Sequence, residues 1–357
     1  MIRKILIFIL SAALLCGLFA GCASARSGAD VHVFYYTYSD TYVSTVRAAL
    51  DKKLTDAGIS YQDYDSNNSQ TTQTEQVQTA ITKGAKVLLV NVVTTGSDDA
   101  AVGIVALAKN AGIPVIFFNR EVSDSIVNSY DACAYVGTDA TEAGLLQGDM
   151  IGDYLVKHYE KTDLNGDGRI SYVLFMGEKG NNEAIYRTRY SVENANKKLS
   201  AAGKPALVFY DSANPDKYLP DREGKWSAQA ANEYMTTALT SYNTANRNMI
   251  ELVICNNDNM AEGAITALKS AGFNTGAQGA TTIPVFGVDA IEAAKELIRK
   301  GQMAGTIIQD GGAMADCMKV LIDNALNGRS LLEGTGEYNV DQGAAKVRIS
   351  YGIYTGE

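Results

Sequence analysis

Histidine is scarce, basic clusters are missing and no phosphate-binding glycine loop occurs, and each absence removes a class of function. Only two histidines, His32 and His158, are present among 357 residues, which leaves little for histidine-dependent catalysis or a transition-metal centre. Neither a Walker A pattern nor a convincing GxGxxG occurs, so glycine-loop recognition of nucleotide phosphates lacks its motif. Forty acidic residues against 31 basic ones give a formal net charge of -9. With no Lys/Arg cluster to offset it, this charge excludes a nucleic-acid partner. Five cysteines occur, without CxxC or Cys/His spacing, so zinc is not indicated either. Cys133, Cys255 and Cys317 lie in or near apolar segments, and buried free thiols are expected of them.

The N-terminus is the first positive signal. "MIRK" carries two positive charges and precedes the uncharged run "ILIFILSAALLCGLFAG", after which Cys22 follows the small pair Ala20 and Gly21. This is the layout of a secretory leader, and "FAGC" resembles a bacterial lipobox. Residues 1–21 then read as a signal peptide, with cleavage before Cys22, acylation of Cys22, and 22–30 as a short tether. Membrane contact would be through that lipid only. An uncleaved anchor is the alternative, although the apolar run is at the short limit for spanning a bilayer.

From Val31 onward, strand and helix patterns alternate. "VHVFYYTY", "ISYQDYD", "KVLLVNVV" and "IPVIFFN" are short β-rich runs, separated by amphipathic segments that end in glycine. The second half repeats the theme with "RISYVLFM", "PALVFYD", "IELVICN", "IPVFGVD" and "MAGTIIQD". "AVGIVALAKNAGIPVIFFN" is echoed by "AEGAITALKSAGF" and "IPVFGVD". Such alternation specifies α/β architecture with doubly wound parallel sheets, here in two similar Rossmann-like lobes. One further helix, "AMADCMKVLIDNALNG", and one last strand, "AKVRISYGIY", complete the chain.

Ligands of open parallel sheets bind beyond the carboxyl ends of the strands. Those ends carry Asp40 and Tyr42, Asn119, "GEKGNNE", Asn257 and Asp258, Asp289, and Gln309 with Asp310. The set is rich in carboxylates and amides with aromatics nearby, and it holds neither a Ser/His pair nor a cysteine beside a base. That chemistry suits a neutral polyol: carboxylates and amides pair with hydroxyls, and a flat ring covers an apolar sugar face.

The segments "VFYYTYSDTY", "IPVIFFNRE", "AYVGTD", "LNGDGRI", "VICNNDNMAEGAITALK", "IPVFGVDA" and "AGTIIQD" together resemble periplasmic galactose/glucose-binding proteins, in order and approximate spacing, from about Val33 to Tyr351. The resemblance implies the type I periplasmic-binding-protein fold with a multi-strand hinge. Residues 31–137 and 312–344 would form the first lobe, and 138–311 and 345–357 the second. It also implies a binding protein without catalysis, working outside the cytoplasm as a monomer. Such a protein delivers glucose or galactose to an ABC importer permease and can signal through a chemoreceptor. Asp40, Asn119, Arg187, Asn257 and Asp289 match sugar-contact positions. Tyr42 falls where the family has a stacking phenylalanine. Asn181, Glu183 and Gln309 depart from the family's residues; they keep hydrogen-bonding capacity but change its reach. Trp226, the only tryptophan, is the natural second stacking ring, with Tyr218 as the alternative.

"DLNGDGRIS" opens like an EF-hand loop. Asp163, Asn165 and Asp167 supply side-chain oxygens, Arg169 its carbonyl, Ser171 the ninth-position oxygen, and Gly168 the sixth-position turn. The bidentate glutamate of an EF-hand is missing from the twelfth position, where Leu174 stands. The family resemblance implies that Glu251 replaces it, giving a structural Ca2+ site away from the sugar cleft. A calcium-free acidic turn is the simpler alternative. For the cleft, the enzymatic alternative is a sugar hydrolase with Asp40 and Asp289 as its carboxyl pair, although nothing in the sequence marks a raised-pKa acid. A repressor of the same core is excluded by the secretory leader and the absence of an N-terminal helix-turn-helix.

Overall fold

The computed structural model describes residues 28–356; the leader, Cys22 and most of the tether lie outside them. Two sheets of seven strands form the two lobes. In the first, β1 (Val31–Tyr35), β2 (Tyr61–Asp65), β3 (Val87–Val90), β4 (Val115–Phe118) and β5 (Cys133–Gly137) run parallel. Late in the chain, β12 (Asn339–Val340) and β13 (Lys346–Arg348) extend this sheet to the order β12, β13, β5, β4, β3, β1, β2. The runs "VLLV" and "VIFF" are buried along their whole length, as expected of strands covered by helices on both faces.

The second sheet is built from β6 (Ser171–Met176), β7 (Val208–Phe209), β9 (Leu252–Cys255), β10 (Val285–Asp289), β11 (Gly305–Gln309) and β14 (Tyr351–Tyr354), with β8 (Leu219–Pro220) also pairing to β6. Only β12 on β13 and β14 on β11 pair antiparallel. Neither β5 nor the two-residue strands β8 and β12 are foreseen from the hydrophobic pattern.

The lobe helices are α1 (Thr41–Asp56), α2 (Gln70–Thr82), α3 (Asp99–Ala111), α4 (Asp124–Val127), α5 (Ala140–Thr162), α6 (Asn182–Ala201), α7 (Ala228–Ser241), α8 (Asp258–Ser270), α9 (Glu292–Arg299) and α10 (Gly311–Leu326). After β11 the chain returns to the first lobe. There Met314, Met318, Leu321 and Ile322 of α10 share a core with Val43, Val46, Leu50 and Leu54 of α1.

The run "AKVRISYGIY" reads as one strand of the second lobe, and the structure corrects this. Lys346–Arg348 pair with Tyr135–Gly137 in the first sheet, and Tyr351–Tyr354 pair with Thr306–Gln309 in the second. The chain therefore crosses at Ile349–Ser350, so the first lobe extends beyond 344 and residues 345–357 are divided. The physical reason is tertiary. Lys346 and Arg348 both ion-pair with Glu121 of the first lobe, and Arg348 also with Asp341. These contacts hold the first half of a uniformly β-prone run in the first sheet.

Three strands of chain pass between the lobes, and Thr138 touches all of them. Its carbonyl accepts from Arg348 at 2.8 Å, its hydroxyl lies 2.7 Å from the Tyr351 hydroxyl, and Gln309 Nε2 donates to it at 3.5 Å.

Candidate functional site

The carboxyl ends of both sheets face one cleft, whose cavity is about 40 Å3. The first lobe contributes Tyr36, Asp40, Tyr42, Val43, Asn119 and Arg120 to its walls. The second contributes Asn181, Glu183, Arg187, Trp226, Asn257 and Asp289, with Gln309 at the end of β11. All ten candidate cleft residues therefore meet around one space. Tyr36, Val43 and Arg120 join them, and no sequence signal of their own distinguished these three. Tyr218 is not in the wall; it packs half-buried against the second-lobe core.

Local structure fixes the polar groups before any ligand arrives. Asp40 caps α1: its Oδ1 accepts from the Val43 amide at 2.8 Å, and its Oδ2 accepts from the Tyr36 hydroxyl at 2.5 Å. Asn181 caps α6 by accepting from the Ala184 amide at 3.3 Å. Asn257 caps α8 by accepting from the Met260 amide at 2.9 Å. Three helices thus present their N-terminal, partially positive ends to the cleft. Asn119, Trp226 and Asp289 have φ values of 61°, 55° and 122°, a left-handed region disfavoured for side-chain-bearing residues and found where a site dictates the backbone. The Trp226 ring lies directly on the backbone at Gly177, where a Cβ would come within 2.2 Å of it.

Arg187 is the centre of the second-lobe wall. It is 4% exposed and donates to Asn256 O at 2.9 Å, Gln309 Oε1 at 3.0 Å and Tyr351 Oη at 2.9 Å. Asp289 Oδ1 lies 3.9 Å from its guanidinium. Burial pushes the Asp289 carboxyl well above the ordinary carboxylate range, although Arg187 opposes the shift. Burial also raises Glu183, again against the pull of Arg187. Apart from Arg120 Nη2, whose counter-ion is Glu178, three cavity-wall atoms are buried without a hydrogen-bond partner among the described residues: Tyr42 Oη, Glu183 Oε1 and Arg187 Nε.

Among the described residues, two polar contacts cross the cleft. Arg120 of the first lobe ion-pairs with Glu178 of the second, and Asn181 Nδ2 donates to Thr95 Oγ1 at 3.2 Å. Arg120 is 4% exposed, its guanidinium lies 4.2 Å over the Tyr36 ring, and it donates to the carbonyls of Val93 at 2.7 Å and Val92 at 3.3 Å.

The acidic loop lies at the opposite end of β6. Asp163 Oδ1 accepts from the Gly166 amide at 2.7 Å, its Oδ2 from Gly168 at 2.8 Å, and Asp167 Oδ1 from Arg169 at 2.9 Å. The turn needs φ of +80° at Gly168, which glycine adopts without strain. Glu251, fully buried just before β9, reaches this loop: Oε1 accepts from the amides of Leu164 and Asn165 at 2.7 and 3.1 Å, and Oε2 from Ser171 at 2.9 Å. The Ser171 hydroxyl donates to Met249 O. In this arrangement no three His, Cys, Asp or Glu side chains among the described residues converge as a metal cluster. Glu251 closes the loop through its hydrogen bonds to the Leu164, Asn165 and Ser171 amides.

The profile of the periplasmic binding protein domain matches residues 31–330. The D-galactose/methyl-galactoside binding periplasmic protein of Haemophilus influenzae is 37% identical over 319 residues, covering 88% of this chain and 87% of that protein. Among solved structures, an ABC transporter solute binding protein from Clostridium phytofermentans with bound β-D-glucose superposes with a TM-score of 0.70. It is 22% identical, over 91% of this chain and 94% of that one. Another from Bacillus halodurans, with bound myo-inositol, gives 0.68 at 23% identity, over 92% and 96%. At such identities the two structures speak to fold alone.

Proposed function

The chain belongs to the periplasmic binding protein family, whose members are extracytoplasmic binding proteins and not enzymes, and from that premise we propose that it captures glucose or galactose between its lobes and delivers it to an ABC-type importer. The observation that carries this reading is the cavity wall. Carboxylates, amides and a tryptophan from both lobes surround one buried space, and three of its polar atoms wait for partners. A monosaccharide supplies them, because each hydroxyl both donates and accepts. The raised carboxyl of Asp289, which in isolation would suit a general acid, follows here from burial beside Arg187. Closure by hinge bending would present one face composed of both lobes to the importer, and a chemoreceptor is a second partner that could read the same face.

Isothermal calorimetry with a panel of monosaccharides tests the proposal. Heat is expected for glucose or galactose, with no glycone released from aryl-glycosides. Silence across the panel, or turnover of a glycoside, defeats it.

Two further elements belong to this reading. Acylation at Cys22 would hold the protein, as a monomer, on the membrane surface; mass spectrometry of the mature N-terminus decides that. The acidic loop is read as a structural Ca2+ site. Its oxygen-only donors, Asp163, Asn165, Asp167, Glu251, the Arg169 carbonyl and Ser171, suit a hard cation that takes about six to eight oxygens. The bound ion would supply charge neutralisation at a buried glutamate. Glu251 itself ties the loop to the neighbouring chain through its amide bonds. Chelator is expected to lower the melting temperature of the wild type and to leave a Glu251→Ala variant unmoved; equal sensitivity in both removes Glu251 as a ligand.

A further inference from the structure

Tyr42 is the cleft residue whose structure is least explained by stacking. Its ring belongs to the first-lobe core with Val43, Val46 and Tyr36, and the residue is 5% exposed. The hydroxyl end points elsewhere. The charged and phenolic groups acting on it are Asp289, Tyr351, Arg187 and Asp310, so Oη stands where the second lobe and the hinge meet the cavity. None of these groups bonds to it, and Oη is buried with no hydrogen-bond partner among the described residues. A ring used only as a flat apolar surface would not need this hydroxyl, and a buried hydroxyl without a partner destabilises the protein that carries it.

We propose that Tyr42 Oη is a specificity contact that hydrogen-bonds one particular hydroxyl of the bound sugar. The inference rests on the monosaccharide reading above and adds to it a selection rule. The other two unpartnered atoms complete the complement. Arg187 Nε can only donate and calls for a ligand oxygen, whereas Glu183 Oε1 in its ionised form calls for a hydroxyl proton. Burial keeps the Tyr42 phenol neutral through the ordinary pH range, so it remains able to donate. A sugar lacking the partner hydroxyl would leave Tyr42 unpaired in the closed cleft. Sites built to pair a ligand hydroxyl discriminate strongly against analogues without it.

The experiment is a cycle between protein and ligand. Calorimetric affinities of wild type and Tyr42→Phe are measured for the sugar that binds and for its complete monodeoxy series. Tyr42→Phe keeps the ring and is expected to bind the parent sugar about 10- to 100-fold more weakly. One deoxy analogue should be weakened in the wild type by a similar factor and show no further loss in Tyr42→Phe. For the other analogues the two losses should multiply. The ligand-free variant should melt no lower than wild type, because an unpaired buried hydroxyl has been removed. Unchanged or tighter binding of the parent sugar by Tyr42→Phe overturns the proposal, as do losses that multiply for every analogue. Wild type that binds no monosaccharide overturns the functional reading and this contact with it. Binding that is merely indifferent to Tyr42→Phe overturns the contact alone.

Discussion

The Arg120–Glu178 pair bridges the two lobes, and neutralising Glu178 is expected to weaken ligand binding by holding back closure. Arg120 is 5% exposed at the side chain and Glu178 is 24% exposed. In an opened cleft, water solvates both ends. In the closed cleft, a Glu178→Gln variant keeps a carbonyl acceptor but takes from the buried Arg120 guanidinium its charged partner across the cleft, leaving the carbonyls of Val92 and Val93, the face of Tyr36 and the more distant Glu183 and Asp40. Removing one partner of a fully buried pair costs about 3–5 kcal/mol. Partial exposure of Glu178 lowers this to about 2–3 kcal/mol, and the cost falls on the closed state. Since each 1.4 kcal/mol is about tenfold, apparent affinity should drop roughly 30- to 150-fold. Arg120→Met also sacrifices the bonds to Val92 and Val93, so the pair itself is isolated by the double variant. Calorimetry on wild type, Glu178→Gln, Arg120→Met and the double variant should give a coupling of about 2 kcal/mol. Small-angle scattering of the ligand-free proteins should show the single variants shifted toward an extended shape. If the two losses simply add, or if Glu178→Gln binds like wild type, the pair does not contribute to closure.

Two other perturbations follow from the same geometry. Gly177→Ala places a Cβ within 2.2 Å of Trp226 Cδ2; the ring must move, and sugar affinity should fall at least about tenfold with a shifted tryptophan emission, at a stability loss of about 1–3 kcal/mol. Unchanged emission would show that the backbone yields instead. In β2, the edge strand of the first sheet, burial and the neighbouring Asp51 push the Asp63 carboxyl up to about 8, against the pull of Arg47. A carboxyl raised above its unfolded value of about 3.9 binds more protons folded than unfolded. Its contribution is therefore complete below about pH 4 and is lost as pH rises toward about 8. Melting temperatures from pH 5 to 8 should fall more steeply for wild type than for Asp63→Asn, and parallel slopes would refute a raised Asp63 carboxyl.

Much of the cleft was legible because a parallel sheet gathers its carboxyl ends. Asn119, Asn257, Asp289 and Gln309 each end or follow an apolar run, and the structure brings them to one cavity. Arg120 lies within "IPVIFFNRE", beside Asn119. Nothing local distinguishes it from a surface arginine, and its meaning depends on Glu178, which enters from the other lobe. Tyr36 was hidden inside a run of tyrosines. β5 carries a weak sequence signal since "CAYVG" is short and contains small residues, and the division of "AKVRISYGIY" depends on ion pairs to Glu121 and Asp341. Glu251 was reachable only through family resemblance. Its burial against the loop amides is a long-range contact that no spacing in "DLNGDGRIS" specifies.

The polar interior of the cleft and the hinge are one hydrogen-bonded unit, and Arg187 joins them. One nitrogen of its guanidinium donates to both Gln309 and Tyr351. Tyr351 follows the third crossing, Gln309 immediately precedes the second, and both reach Thr138 on the first. A second, Nη1, donates to Asn256 O, and the third, Nε, is one of the unpartnered atoms in the cavity wall. Because the guanidinium is planar and rigid, a ligand oxygen that binds Nε also fixes the orientation of the nitrogens that hold the hinge strands. Ligand capture would thereby be coupled to ordering of the crossings through a single side chain. The coupling is strong only because the group is 4% exposed, where water cannot substitute for a missing partner. A lysine at position 187 would preserve the charge and lose the coupling, since a point charge on a flexible stem cannot address the cavity and two hinge residues at once.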